Sequence, residues 1–225
     1  MSVGSGDKST PQSIADALRD DLMDGVLSAG SRLTEESLSE RFGSGRHSVR
    51  SALQILTSQG LLEHRRNKGI VVPLVTAARI DEMCSYRAIL ELGALRLALD
   101  NGSDFAGVST AVDRLDSLDA TTPWRHIMEA HTAVHEEIVK ASGNQRLVAA
   151  HAACETELNS MMAIIRGDFT AHRLAIMHRT LFRQLQRGGT EALRGLEDDL
   201  EGGGRAAMHA ALDRQLAAPG LAAVR

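Results

Sequence analysis

Two cysteines, four prolines and 3% aromatic side chains are all that the 225 residues contain of these types. Cys84 and Cys154 stand alone and far apart, which excludes a disulfide framework and any C-x-x-C metal or redox motif. A reducing cytoplasm is the expected setting. No stretch approaches the roughly 18 apolar residues of a membrane helix, and Met1 to Thr10 is polar and Gly/Ser-rich with no apolar leader core. Neither export nor anchoring is expected. What is present, 43% hydrophobic and 24% charged residues with a net charge of -4, is ordinary globular composition, enough for two small domains. Collagen, an extended disordered chain and a disulfide miniprotein are excluded.

The texture changes near residue 75. Beyond Thr76, long helical patterns follow one another with short Gly, Pro or Asp punctuation, whereas the earlier elements are shorter and include alternating apolar runs. The spacing predicts a helix over Ser13–Asp24 closed near Gly25, and a helix Glu35–Phe42 capped by Thr34. A sharp Gly43-Ser44-Gly45 turn leads to a third helix, Arg46–Ser58, ending at Gly60. Leu61 to His64 and Ile70 to Val72 flank the polar, basic tip Arg65-Arg66-Asn67-Lys68-Gly69, a hairpin signal. Helix, helix, tight turn, helix and a two-stranded wing make a winged helix-turn-helix. The expected fold class is mainly α, an α+β winged helix-turn-helix followed by an all-α bundle. Residues 1–10 are expected to be a disordered tail, 11–75 the winged domain and 76–225 the helical domain.

Charge placement says more than charge total. Residues 1 to 76 carry nine Lys/Arg against nine Asp/Glu, but from Arg41 to Val72 six basic residues face the single acid Glu63. Asp16, Asp20, Asp21 and Asp24 belong to the first helix, so the positive field points from the third helix and the wing. Arg46 and Arg50 stand one helical turn apart and project from one face, suited to guanine or phosphate in a major groove. His47 and Ser48 add short contacts, and Arg65, Arg66, Asn67, Lys68 and Gly69 form a DNA-facing tip.

The segments Leu33-Thr-Glu-Glu-Ser-Leu-Ser-Glu-Arg-Phe-Gly43, Arg46-His-Ser-Val-Arg-Ser-Ala-Leu53 and Gly60-Leu-Leu-Glu-His-Arg-Arg-Asn-Lys-Gly69 resemble the DNA-binding domain of GntR-family bacterial repressors. That family commonly has Ser-Arg-Thr-Pro-Val-Arg-Glu-Ala-Leu across the recognition helix. Here Gly45 replaces the first Ser, His47 and Ser48 replace Thr-Pro, and Ser51 replaces Glu, while both arginines survive.

In the later helices, polar rings interrupt apolar stripes. Positions at i, i+4, i+7 and i+11 read Ile127, His131, Val134 and Ile138, with His135 one turn beyond His131; Leu174, His178, Leu181 and Leu185 repeat the pattern. A further stripe is Leu147, His151, Cys154, Leu158, Met161 and Ile165. A lone inward histidine is more often a hydrogen-bonded core residue than a ligand, and His151 is read so. Several rings converging on one interior would cost about 1 to 3 kcal/mol for each one left unsatisfied. A divalent metal is the economical shared partner of His131, His135 and His178, and imidazole donors suit Zn²⁺ or Ni²⁺.

Tyr86-Arg-Ala-Ile-Leu-Glu-Leu-Gly-Ala-Leu-Arg-Leu-Ala98 and His135-Glu-Glu-Ile-Val-Lys-Ala-Ser-Gly-Asn144 resemble the FCD class, the all-helical effector domain of FadR-type regulators, over residues 78–201. The resemblance implies a dimer whose bundle binds a small organic acid, often beside a metal ion. The family's ligands, an Asp, a His four residues later and two further histidines, fall here on His131, His135, His178 and Leu200. The acid has become a histidine and the last histidine a leucine. Asp198, Asp199 and His209 are near enough to substitute, across a Gly202-Gly203-Gly204 run read as a flexible hinge; Ala206 to Leu216 forms an extra helix.

On the first helix of this region the stripe Ile80, Met83, Arg87, Leu90, Ala94, Leu97 contains a permanent cation. Arg87 either pairs with Glu91 or a neighbouring acid, or, as the resemblance implies, clamps an effector carboxylate. The expected function is a cytoplasmic, DNA-binding repressor whose operator affinity a small carboxylate controls, with two copies reading a pseudo-palindromic site. A metal sensor without organic effector is the alternative. A metal-dependent hydrolase is less supported, because Thr132 stands where an H-E-x-x-H motif needs its glutamate.

Overall fold

The computed structural model describes residues 9–163 and 168–217. Most of the expected tail, residues 1–8, lies outside the described residues, as does Ile165 of the His151 stripe. Contacts divide the chain into two units between Leu74 and Val75.

The first unit is built from helices α1 (Pro11–Met23), α2 (Glu35–Phe42) and α3 (Arg46–Ser58) and strands β1 (Arg32–Leu33), β2 (Glu63–Arg65) and β3 (Gly69–Val71). Thr10, assigned to the tail from sequence, caps α1 by accepting a hydrogen bond from the Ser13 amide. Thr34 does the same for α2, and Gly43 ends that helix at φ 58, a left-handed conformation that glycine takes without a Cβ penalty. The wing is three-stranded rather than two-stranded. β1 pairs with β3, and β3 with β2, all antiparallel in the order β1-β3-β2. β2 also begins later than the hydrophobicity suggests: the amides of Leu61 and Leu62 both return to the Leu56 carbonyl, at 3.0 and 3.3 Å, closing α3. Their side chains enter the core of Ile14, Leu18, Val49, Leu53, Leu56 and Val72.

The second unit is a helical bundle: α4 (Ala77–Asp100), α5 (Ala106–Asp116), α6 (Trp124–Lys140), α7 (Gln145–Met162), α8 (Ala171–Arg187), α9 (Gly189–Asp198) and α10 (Ala206–Ala217). Thr76, Asn144 and Thr170 cap α4, α7 and α8 through their side chains. The glycine run is not a hinge. Asp199–Arg205 forms a π-helical turn that joins α9 to α10 without a break. α4 packs against α6, α7, α9, the π turn and α10 and so forms the bundle's spine.

One stripe is corrected. About 18 residues make five helical turns, so Ala98, not Leu97, stands in line with Ile80. Ala98 is buried and Leu97 is 39% exposed. By the same count Glu91, three turns on, lies in the stripe in place of Leu90, and it is wholly buried.

Candidate metal centre and nucleic-acid interface

Three imidazoles meet in the bundle interior. His131 and His135 come from α6, one turn apart, and His178 from α8; all are buried, and one ring nitrogen from each lies within 4.8 Å of the others. The ring centroids are 4.8 to 5.2 Å apart. Hydrogen bonds fix two of the rings. His135 donates from Nδ1 to Glu91 Oε2 at 2.9 Å, and His178 donates from Nδ1 to the Leu174 carbonyl at 2.8 Å. In the neutral ring, spending the proton on Nδ1 leaves Nε2 with a lone pair. The two Nε2 atoms face each other at 3.1 Å, and Asp199 Oδ2 lies 3.6 Å from one and 3.9 Å from the other.

Three acceptors thus converge with no donor between them. His131 Nδ1 is also buried with no hydrogen-bond partner, a loss of about 1 to 3 kcal/mol. A proton could serve one pair of these atoms, whereas a divalent cation serves the whole set. Three imidazoles are a donor set suited to Zn²⁺ or Ni²⁺, with the Asp199 carboxylate beside two of them, so the residues present fit the ion. Burial, with the nearby rings and Arg87, holds His131 well below the usual imidazole range. Burial and Arg87 push His135 down to about 4 although Glu91 opposes this, leaving a neutral ring that could ligate an ion.

Asp199 is the carboxylate that sequence alone did not place. It stands at the first position of the π turn, next to the buried Leu200 to which the family's last histidine aligned. Asp198 lines the outer cleft beside the turn, and His209 bonds Asp81 instead, at 2.8 Å. Gly203 permits a close approach: a Cβ there would come within 2.7 Å of the Met177 methyl. Met177, Gly203 and Asp199 separate an inner cavity of about 10 Å³, also lined by Arg87, His131 and His178, from an open outer cleft of about 690 Å³.

Behind the rings lies a second buried group. Arg87 donates from Nε to Glu91 Oε1, the structural pairing foreseen as one of its two roles. His151 also reaches Glu91 Oε1, at 3.0 Å, and does not join the three-histidine cluster. Burial would raise Glu91, but Arg87 and the two histidines hold it well below the carboxylate range. Among the described residues no acceptor meets the terminal nitrogens of Arg87, which lines the inner cavity.

The expected DNA contacts lie on α3 and the wing. Arg46, His47 and Arg50 are exposed on the first turns of α3, with Ser48 half-buried; Arg66, Asn67 and Lys68 are exposed at the wing tip, Asn67 at φ 64 and Gly69 at φ 76. Not all the cations are free. Arg50 donates to both oxygens of Glu35 at 2.8 Å, and Arg65 pairs with Glu63. Arg50 keeps 61% of its side chain in water, where an ion pair exchanges readily for a phosphate. Among the described residues no carboxylate pairs with Arg46, Arg66 or Lys68.

Comparison with known proteins agrees with both units. Residues 10–72 match the gntR family of bacterial regulatory proteins, and residues 82–197 match the FCD domain. The uncharacterized HTH-type transcriptional regulator YdhC of Bacillus subtilis is 26% identical over 199 residues, covering 83% of this chain and 86% of its own length. The Nta operon transcriptional regulator of Aminobacter aminovorans is 33% identical over 75 residues, 33% of this chain and 36% of its own. The crystal structure of a GntR regulator from Rhodococcus sp. RHA1 superposes with a TM-score of 0.72 at 25% identity, covering 89% of this chain and 97% of that one. No described helix is long and apolar enough to cross a membrane. The family and these relatives are transcriptional regulators, which sets the hydrolase reading aside. The chain belongs to the GntR family of bacterial transcriptional regulators, in its FCD class.

Proposed function

We propose that this regulator's affinity for its operator is controlled by a divalent metal ion, Zn²⁺ or Ni²⁺, held by His131, His135, His178 and Asp199. The carrying observation is the convergence of two Nε2 lone pairs and a carboxylate oxygen within 3.9 Å, with no donor among them. When bound, the ion supplies positive charge and open coordination positions. The chain's own residues do the rest: Glu91 and the Leu174 carbonyl orient two rings, and Met177 closes the inner cavity toward solvent. On the other unit, Arg46 and Arg50 enter the major groove while Arg65, Arg66, Asn67, Lys68 and Gly69 follow the backbone. The protein acts in the cytoplasm as a dimeric repressor on a pseudo-palindromic site, and metal binding shifts the population of DNA-competent dimers.

A second reading adds an organic effector. Arg87 lines the same cavity and spends only its Nε on Glu91 among the described residues, so a small carboxylate would be clamped there beside the ion. At about 10 Å³ that cavity takes a single ion or water, and an acid enters only after Met177 turns aside. Titrating the chelator-stripped protein on its operator with Zn²⁺, then with small carboxylates, separates the two. A shift on metal alone supports the first reading, a shift that also needs the acid supports the second, and indifference to metal refutes both.

A further inference from the structure

None of the four donors stands on α4. His131 and His135 are on α6, His178 on α8 and Asp199 on the π turn. Yet α4 sends two charged side chains to the centre's edge, Arg87 and the wholly buried Glu91. Glu91 spends both oxygens there. Oε2 accepts from His135 Nδ1 at 2.9 Å, and Oε1 receives Arg87 Nε and His151 Nε2. Beyond it, Glu155 Oε1 lies 2.9 Å from His151 Nδ1, though off the line of a hydrogen bond.

Resting on the metal reading above, we propose that Glu91 is the positioning residue of the centre and the link through which α4 senses the ion. Its carboxylate keeps the His135 proton on Nδ1, so that Nε2 presents a lone pair to the metal; a ligand imidazole held this way is oriented and made more basic. Arg87 and His151 hold the carboxylate from the opposite side, so it cannot turn away. Because the bond joins α6 to α4, any shift of the His135 ring on metal binding is felt by α4. That helix begins at Ala77, capped by Thr76, directly after the chain leaves the DNA-binding unit at Leu74. Glu91 therefore ties ring position to the first helix that follows the DNA reader.

The test uses the full chain and metal alone. Glu91→Gln removes the negative charge at nearly constant shape. Because it strands the buried Arg87, the neutral double variant Arg87→Gln/Glu91→Gln guards against loss of the fold. We expect Zn²⁺ affinity, measured by competition with a chromophoric chelator, to fall about 10- to 100-fold in both, the range of outer-shell losses. Nitrogen NMR of the metal-free chain should show His135 protonated on Nδ1 in the wild type and lose that preference in the variants. The ratio of operator affinities with and without Zn²⁺ should shrink toward one even at saturating metal. A folded double variant with wild-type Zn²⁺ affinity, an unchanged His135 tautomer and an unchanged ratio overturns this proposal while leaving the metal reading intact. A wild-type chain that holds no Zn²⁺ overturns both.

Discussion

Both units carry arginine–glutamate pairs, but the Arg50–Glu35 pair of the winged unit stands in water and the Arg87–Glu91 pair of the bundle does not. Arg50 and Glu35 meet on the surface, and each is free to exchange its partner for an ion or a phosphate. Arg87 and Glu91 meet where neither is more than 6% exposed, and there a carboxylate without its partners is costly enough to select a single arrangement. The exposed set is suited to trading partners when DNA arrives. The buried set is suited to holding the His135 ring in one orientation. One pairing chemistry thus serves reversible contact in one unit and preorganisation in the other.

That contrast is broken first at its strongest point. His178→Ala removes a donor from the buried set, and Zn²⁺ affinity should drop by more than about a hundredfold, beyond an outer-shell loss; equilibrium dialysis checks it, and near-native affinity would remove His178 from the centre. Next, Arg46→Ala on the exposed set should cost about 1 to 3 kcal/mol of operator binding and relax sequence preference. Gel-shift titration on specific and scrambled duplexes measures this, and equal losses on both would make Arg46 a phosphate contact.

A smaller effect appears in pH. Burial lowers His151, but the adjacent carboxylate of Glu155 and the hydrogen-bonded carboxylate of Glu91 more than offset this and raise it from 6.5 to about 9. Its folded form holds a proton that the unfolded chain releases, so the stabilisation is full below about pH 6.5 and is lost as pH rises through about 9. Thermal melts of chelator-treated wild type should decline across that window, and those of His151→Gln should not.

The winged unit was legible because its signals are local. Gly43, Thr34 and the Arg65–Gly69 tip each act within a few residues, and turn chemistry names them. The third strand escaped notice because a two-residue element, Arg32–Leu33, carries no periodicity. In the bundle, the inward histidines were legible at helical spacing, since a polar ring in an apolar stripe stands out. Asp199 was named only as a candidate, because its inward turn depends on a π-helical register that no local pattern announces. Glu91 was within reach. A stripe counted strictly at 3.6 residues from Ile80 passes through it, whereas preferring apolar positions diverted the stripe to Leu90 and Leu97.

The finest distinction lies within the exposed set. Lys68 has no carboxylate partner among the described residues, whereas Arg50 is held by Glu35. If both face the duplex, their neighbours alter salt dependence in opposite senses. Lys68→Ala removes one phosphate contact and should flatten the slope of log affinity against log salt by about 0.9, with similar losses on every sequence. Glu35→Gln removes an anion that competes with phosphate for Arg50, so binding should tighten slightly at low salt and the slope should steepen by a similar amount. Fluorescence anisotropy across a salt series reads both slopes. If Glu35→Gln instead weakened binding at every salt concentration, the carboxylate would be aiming Arg50 at its target, and the exposed pair would then be preorganised in the same sense as the buried one.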